Sequence, residues 1–381
     1  MPLLLILIPL FGVIILNLPF GNLMRRAAFW LALALCIAQV VIALANYPAF
    51  AGGETGRPVP FFRIDLSPDC MGFIMLICIG IVTLASLLVA RQTIPDDGRR
   101  FRFINLLIIA SIGMSGVVTV KDVFSLYVFL DITAIASFVL IAFEKGALAI
   151  EGSFKYMILS SVATIMILLS IALIMLVAPN TSFSAVREAM AQSSGSRLIV
   201  IASGIFVCGL LVKGGVMPFH GWLPDAYASA PPAVSVLLAG IVTKAAGIYT
   251  VIRVAGSIFG FNDTVRAILL ALGALSVVAG ALAALGQSDF KRMLAYSSIS
   301  QVGYIILGFA AGSPLGLAGA VFHIFNHSIF KSLLFVNSAA VETQLGTSDM
   351  DKMGGLAAKM PYTGTTSLIG MLSAGGMPPL A

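Results

Sequence analysis

Charge is what this sequence has least of. Asp, Glu, Lys and Arg make up 10% of its 381 residues, against roughly 25% in an ordinary globular chain. With 59% hydrophobic side chains and a mean hydropathy of +1.06, that scarcity excludes a soluble domain. Cysteine is sparse as well. Cys36, Cys70, Cys78 and Cys208 are scattered and form no C-x-x-C, which excludes a disulfide framework and a protein-held zinc or iron–sulfur cluster of the usual spacing. The net charge of +6 comes from residues spread over short loops rather than a patch, so nothing points to nucleic acid. An all-α polytopic membrane protein remains.

A bilayer core takes roughly 20 apolar residues per helix. Such runs fall near 3–20, 27–45, 71–90, 103–120, 123–142, 154–178, 197–213, 232–252, 266–286, 296–312 and 315–340, and a twelfth begins near 363. The expectation is about eleven complete transmembrane helices and a truncated twelfth. The first run lacks a basic leader and a small-residue cleavage site before Arg25-Arg26, and is read as retained. Loops on one side carry twelve basic residues, among them Arg25, Arg99, Lys145, Lys155, Lys291 and Lys359. The other side carries seven: Arg57, Arg63, Lys121, Arg187, Arg197, Arg253 and Arg266. The positive-inside rule then places the richer side in the cytoplasm and the N-terminus outside.

Six ionisable residues do not belong in loops. Lys213, Lys244 and Lys331 fall within or at the ends of apolar runs, Asp131 lies midway along Tyr127–Thr133, and His323 and His327 share one run. A charge at the bilayer centre costs about 2.5–3.5 kcal/mol on insertion scales. The structural reading is that Lys213 and Lys331 snorkel to an interface and that Asp131 pairs with a lysine for packing specificity. Three lysines and two histidines exceed what one pair needs, and proton or ion transfer accounts for the excess. His323, His327 and Lys331 stand at i, i+4 and i+8, a single stripe about 12 Å long. Two imidazoles and an amine in line can pass a proton in short hops. A metal at H-x-x-x-H would need three or four ligands, and no further His, Cys or acid stands nearby in the sequence.

The stretch from Lys213 to Tyr227 cannot be one regular helix, because Gly214, Gly215, Pro218 and Pro224 interrupt it and Pro231-Pro232 follow. An ordinary proline kink is the simpler reading. A Gly-Gly pair beside a lysine favours instead a broken helix facing a wet cavity, since freed backbone groups survive in lipid only there. Gly375-Gly376-Met377-Pro378-Pro379 echoes Gly214-Gly215-Val216-Met217-Pro218. Two interrupted spans in corresponding places suggest inverted repeats.

Residues 101–381 resemble the antiporter-like membrane subunits of respiratory complex I, of Mrp-type sodium/proton antiporters and of energy-converting membrane-bound hydrogenases. The stretches that carry the resemblance are Pro218-Phe219-His220-Gly221-Trp222-Leu223-Pro224-Asp225-Ala226, then Asp289 through Ser300, then Phe325 through Phe335. Residues 1–100 match only as apolar helices. The resemblance implies a first half over 101–252 with its broken helix at 213–224, and a second half over 266–381. Asp131 stands where the family usually has a glutamate. Lys213 resembles the lysine beside the broken helix that is loaded and unloaded with a proton, and Lys244 the connecting lysine of the next span. His323, His327 and Lys331 resemble the central relay. Family members usually place a Lys or Glu shortly after the second break, and this sequence stops before it, so it is read as a fragment.

The function expected is that of a proton-translocating subunit of a redox-driven complex, in a prokaryotic cytoplasmic (inner) membrane. It would hold no cofactor and no metal, and would be the non-redox membrane subunit of an oxidoreductase. Its partners would be related membrane subunits and hydrophilic redox subunits. An Mrp-type cation/proton antiporter subunit, with Na⁺ as a further cargo, is the nearest alternative. A stand-alone solute carrier, with the broken helix as its substrate site, and a redox-complex scaffold that has lost transport are the others.

Overall fold

In a computed structural model the chain is described over residues 3–19, 21–47, 69–193, 196–261, 263–378 and 380. Arg57, Arg63, Pro379 and Ala381 lie outside the described residues. The apolar runs form helices because every backbone N–H and C=O must be satisfied within the segment once water is absent. In chain order these are α1 (Leu4–Leu16), α2 (Asn22–Ala45), α3 (Cys70–Thr93), α4 (Asp97–Thr119), α5 (Val123–Ile141), α6 (Ala147–Ile174), α7 (Phe183–Gln192) and α8 (Arg197–Gly214). There follow α9 (Leu223–Ser229), α10 (Pro232–Phe259), α11 (Asp263–Leu285), α12 (Phe290–Ala310), α13 (Pro314–Leu345), α14 (Leu356–Lys359) and α15 (Pro361–Ala374).

Ten of these helices are long and apolar enough to cross a membrane. The outermost two are shorter, with 13 residues in α1 and 14 in α15. The chain is an integral membrane protein. Polar caps mark where helices leave the apolar layer. Asp69, Asp96, Asp122, Asp289, Ser182 and Ser313 each accept a backbone N–H in the first turn of the helix that follows. The Asp96 carboxyl, outside the spans, is held below its usual range by the N–H groups of Arg99 and Gly98.

The chain repeats itself. At the start of α5, Asp122 caps the helix through the Ser125 N–H at 2.7 Å and accepts the Thr181 hydroxyl. At the start of α12, Asp289 caps through the Arg292 N–H at 2.8 Å and accepts the Ser348 hydroxyl. Asp122 bridges Ser182 and Asp289 bridges Asp349, so the two clips coincide after a shift of 167 residues. The same shift carries Ala147 at the start of α6 onto Pro314 at the start of α13. One unit crosses the membrane with α4, α5, α6, the α8–α9 pair and α10. Five crossings are an odd number, so the next unit, starting at α11, runs the opposite way. The repeats are inverted.

Helix α10 is the axis of the bundle. Its most apolar window is entirely buried, and it packs against α3, α4, α8 and α13. Two basic residues expected in loops are buried instead. Arg253, on α10, is 4% exposed, donates to the Val118 carbonyl at 2.9 Å and also bonds the Tyr249 hydroxyl. Lys291, on the first turn of α12, is 3% exposed and pairs with Glu342 at 2.6 Å. Both sit at helix ends, where apolar flanks disguise a charge that the fold turns inward.

Candidate functional site

The first break has a definite backbone solution. Helix α8 ends at Gly214, and Gly215 takes the left-handed conformation (φ 64°) that only glycine adopts freely. The N–H of Gly215 returns to the Val212 carbonyl and that of Val216 to the Leu211 carbonyl, each at 3.2 Å. The Trp222 indole donates to Val212 as well, at 3.0 Å. Ser276 of α11 accepts the Met217 N–H at 3.0 Å. The break is therefore satisfied from within the protein, as membrane depth requires. The second break copies it. Gly376 is left-handed at φ 74°, its N–H returns to Ser373 at 3.0 Å, and the Met377 N–H returns to Leu372 at 3.1 Å.

Lys213 sits in the last turn of α8, 6% exposed. Its ammonium donates to the Ser160 hydroxyl of α6 at 3.1 Å. Asp131, partly buried on α5, accepts from Thr164, also on α6, at 3.4 Å. Acid and lysine are thus bound to hydroxyls one turn apart on the helix between them and form no direct ion pair. Among the described residues no ion pair involves Lys213, Lys244 or Lys331. A charge in such a site leans on neutral dipoles, which makes it easier to remove than a charge in a closed ion pair.

Lys244 lies in the wide-turned middle of α10. Residues Leu238–Val242 and Lys244–Tyr249 are wound as π-helix, a local form that frequents functional sites. Widening frees carbonyls from the regular ladder, and Lys244 donates to one of them, that of Ala239. Thr250 bonds the Ala245 carbonyl in the same five-residue register at 2.9 Å. The lysine is 1% exposed, on the helix that packs against α13.

The stripe on α13 keeps the order its spacing predicts. His323 and His327 face each other with ring centroids 6.0 Å apart and planes 8° from parallel. His327 is fully buried and neither ring nitrogen has a hydrogen-bond partner. Lys331, also fully buried, donates to the Ser297 hydroxyl at 2.6 Å and the Leu294 carbonyl at 3.1 Å. The shift of 167 residues aligns this stripe with Tyr156, Ser160 and Thr164 on α6. Ser160 and Thr164, which hold Lys213 and Asp131 in one half, are the counterparts of His327 and Lys331 in the other. Among the described residues no group of three or more His, Cys, Asp or Glu is arranged to hold a metal ion.

Sequence reasoning missed a polar mouth at the end of the bundle where α5 meets α6. Asp225, on α9, joins Lys155 of α6 at 2.6 Å and Arg292 of α12, and Glu151 joins the same lysine at 2.7 Å. Glu151, Asp225 and Arg292, with Asp289 and the Lys291–Glu342 pair, border a cavity of about 570 Å³. The signal was present, since Asp225 lies inside the Pro218–Ala226 stretch, but a lone acid near a helix end reads as a loop residue.

Residues 120–381 match the family described as NADH:quinone oxidoreductase/Mrp antiporter, transmembrane. The chain belongs to that family. It is 32% identical to a subunit of the Na⁺/H⁺ antiporter of Alkalihalophilus pseudofirmus, over 86% of this chain and 66% of that one. It is also 32% identical to a subunit of the NADH-quinone oxidoreductase of Desulforudis audaxviator, over 100% of this chain and 77% of that one. A chain of the Mrp complex from Dietzia sp. superposes with a TM-score of 0.92 at 25% identity, covering 99% of this chain and 71% of its own. The chain spans just under two thirds of the first of these relatives.

Proposed function

We propose that the chain translocates protons as the membrane subunit of a larger redox-driven complex, in a prokaryotic cytoplasmic membrane with its N-terminus outside. The observation that carries this reading is the set of buried amines and buried or half-buried imidazoles, without carboxylate partners among the described residues, strung from the first break through the π-wound axis to α13. Lys213 takes up a proton beside the break, where Asp131 favours its charge through Thr164, Ser160 and the space between. Shifting that balance sends the proton toward Lys244 and on to Lys331, on the helix packed against it. The histidine stripe continues the path. No group that carries electrons is called for in this chain, so hydrophilic partner subunits supply the redox chemistry and related membrane subunits flank it. An Mrp-type cation/proton antiporter subunit is the second reading, favoured by the likeness to the Alkalihalophilus antiporter.

The full-length protein in its native assembly decides between them. Recovered in mild detergent, it brings down hydrophilic redox subunits under the first reading and only small membrane subunits under the second. Reconstituted vesicles that take up no protons with either an electron donor or a Na⁺ gradient would end both.

A further inference from the structure

Of the two stripe histidines, only His323 has a polar partner. Its Nε2 lies 2.8 Å from the Gln301 side-chain oxygen on α12. The other end of that amide, its NH₂ group, donates to the Ala374 carbonyl at 3.1 Å. Ala374 is the last residue of α15 before the second break, and the repeat shift at the two breaks, Gly215 to Gly376, makes it the counterpart of Lys213. A backbone carbonyl only accepts, so Gln301 must turn its NH₂ toward Ala374 and its oxygen toward His323. An amide oxygen also only accepts, so the imidazole must present an N–H at Nε2.

We infer that Gln301 is a positioning residue that holds His323 as its Nε2–H tautomer and leaves Nδ1 as the nitrogen on which the translocated proton is received. The inference rests on the proposed proton path, and it adds a constraint on direction. A proton arriving at Nδ1 makes an imidazolium whose Nε2–H is still held by Gln301. It leaves from Nδ1 as well, so long as Gln301 stays in place. Passage through the ring requires the amide oxygen to leave Nε2–H, and a rotation of the amide that does so also draws its NH₂ away from the Ala374 carbonyl at the second break. The break and the histidine are thereby mechanically joined through one side chain.

This sequence contributes His220, His323 and His327, and the ring signals of His323 are identified by difference, as those absent when it is replaced. The complex labelled with ¹⁵N-histidine is examined at about pH 8.5, well above an ordinary imidazole pKa, and the His323→Gln variant assigns the His323 signals. The wild type is expected to show a protonated Nε2 and a bare Nδ1 at His323. Gln301→Leu is expected to give a mixture of tautomers and to slow proton uptake by about tenfold, the effect of roughly one lost orienting hydrogen bond. Gln301→Glu, which still accepts at Nε2, is expected to keep the Nε2–H form. A wild-type His323 protonated at Nδ1, or a tautomer unchanged by Gln301→Leu, overturns the inference without touching the proton path. If the tautomers behave as stated but His323→Gln takes up protons at the wild-type rate, the path reading fails and the positioning stands.

Discussion

Gly247 of α10 lies directly against Gly214 of α8: a Cβ at 247 would stand 2.3 Å from the Gly214 Cα and 2.5 Å from its nitrogen. The missing side chain at 247 allows this approach, and it places the π-wound segment that carries Lys244 on the turn that carries Lys213. Gly247→Ala should force the helices apart at a cost of about 1–3 kcal/mol, typical of overpacking, and should impair proton uptake more than assembly. Gly204→Ala, on the facing helix α8, is the control, since a Cβ there meets nothing within 4 Å. Thermal unfolding of the detergent-solubilised complex, together with vesicle uptake, reads both. Equal behaviour of the two variants would dismiss the crossing as a functional contact.

The division of Asp131 and Lys213 between two hydroxyls gives graded expectations. Lys213→Ala should abolish uptake while insertion is unaffected, because removing a buried charge does not raise the insertion cost. Asp131→Asn should be nearly as harmful. Ser160→Ala removes one hydrogen bond to the lysine and should slow uptake by only about five- to tenfold. Asp131→Glu tests the spacing: the longer acid can bypass Thr164 toward the lysine, and retained activity is expected. Normal uptake by the Lys213→Ala variant would remove this lysine from the path.

Much of this was legible in the sequence. Apolar runs of span length, the glycine and proline punctuation at 214–218 and 375–378, and the i, i+4, i+8 stripe all survive into the fold, because each depends on local periodicity or on chain stereochemistry. What was not legible depends on contacts between distant residues. The π winding of α10 leaves no mark in composition, since Leu238–Tyr249 reads as an ordinary apolar helix. The burial of Arg253 arises from Val118, more than a hundred residues away. The indirect linkage of Asp131 to Lys213 depends on α6 standing between α5 and α8. The repeat was visible only at its glycines, because the two halves place different chemistry, Tyr156-Ser160-Thr164 against His323-His327-Lys331, at matching positions.

The paired clips predict matching energetics. Asp122 and Asp289 each cap a helix and each bind a hydroxyl 59 residues later. Asp122→Ala and Asp289→Ala should each lower stability by about 1–2 kcal/mol, the usual cost of losing a cap. Each change should also loosen its own connection, to Ser182 or to Asp349. Hydrogen exchange at the amides of Val123 and Phe290, which donate across the clips at 2.9 Å, reports each side separately. Exchange that rises at neither amide in its own variant would show that the clips are incidental.

The two histidines should not respond alike to replacement by glutamine. At 323 the new amide can still meet Gln301, so packing and one hydrogen bond survive while the titratable ring is lost. At 327 the ring sits fully buried with both nitrogens unpartnered, against Phe330 with centroids 5.3 Å apart. Glutamine there brings an amide into a pocket that supplies no partner, at a cost of about 1–3 kcal/mol. His327→Gln should therefore both destabilise and block, whereas His323→Gln should block alone. The double variant separates relay from packing, because it leaves no titratable side chain on the stripe before Lys331. Uptake measured in the full-length protein within its complex should fall by about 10²-fold or more, the range of a lost proton-transfer group. His327→Phe, which matches the apolar surroundings, should restore stability without restoring uptake. A double variant that takes up protons at close to the wild-type rate would leave ordered water, not imidazole, as the carrier between Lys244 and the second break.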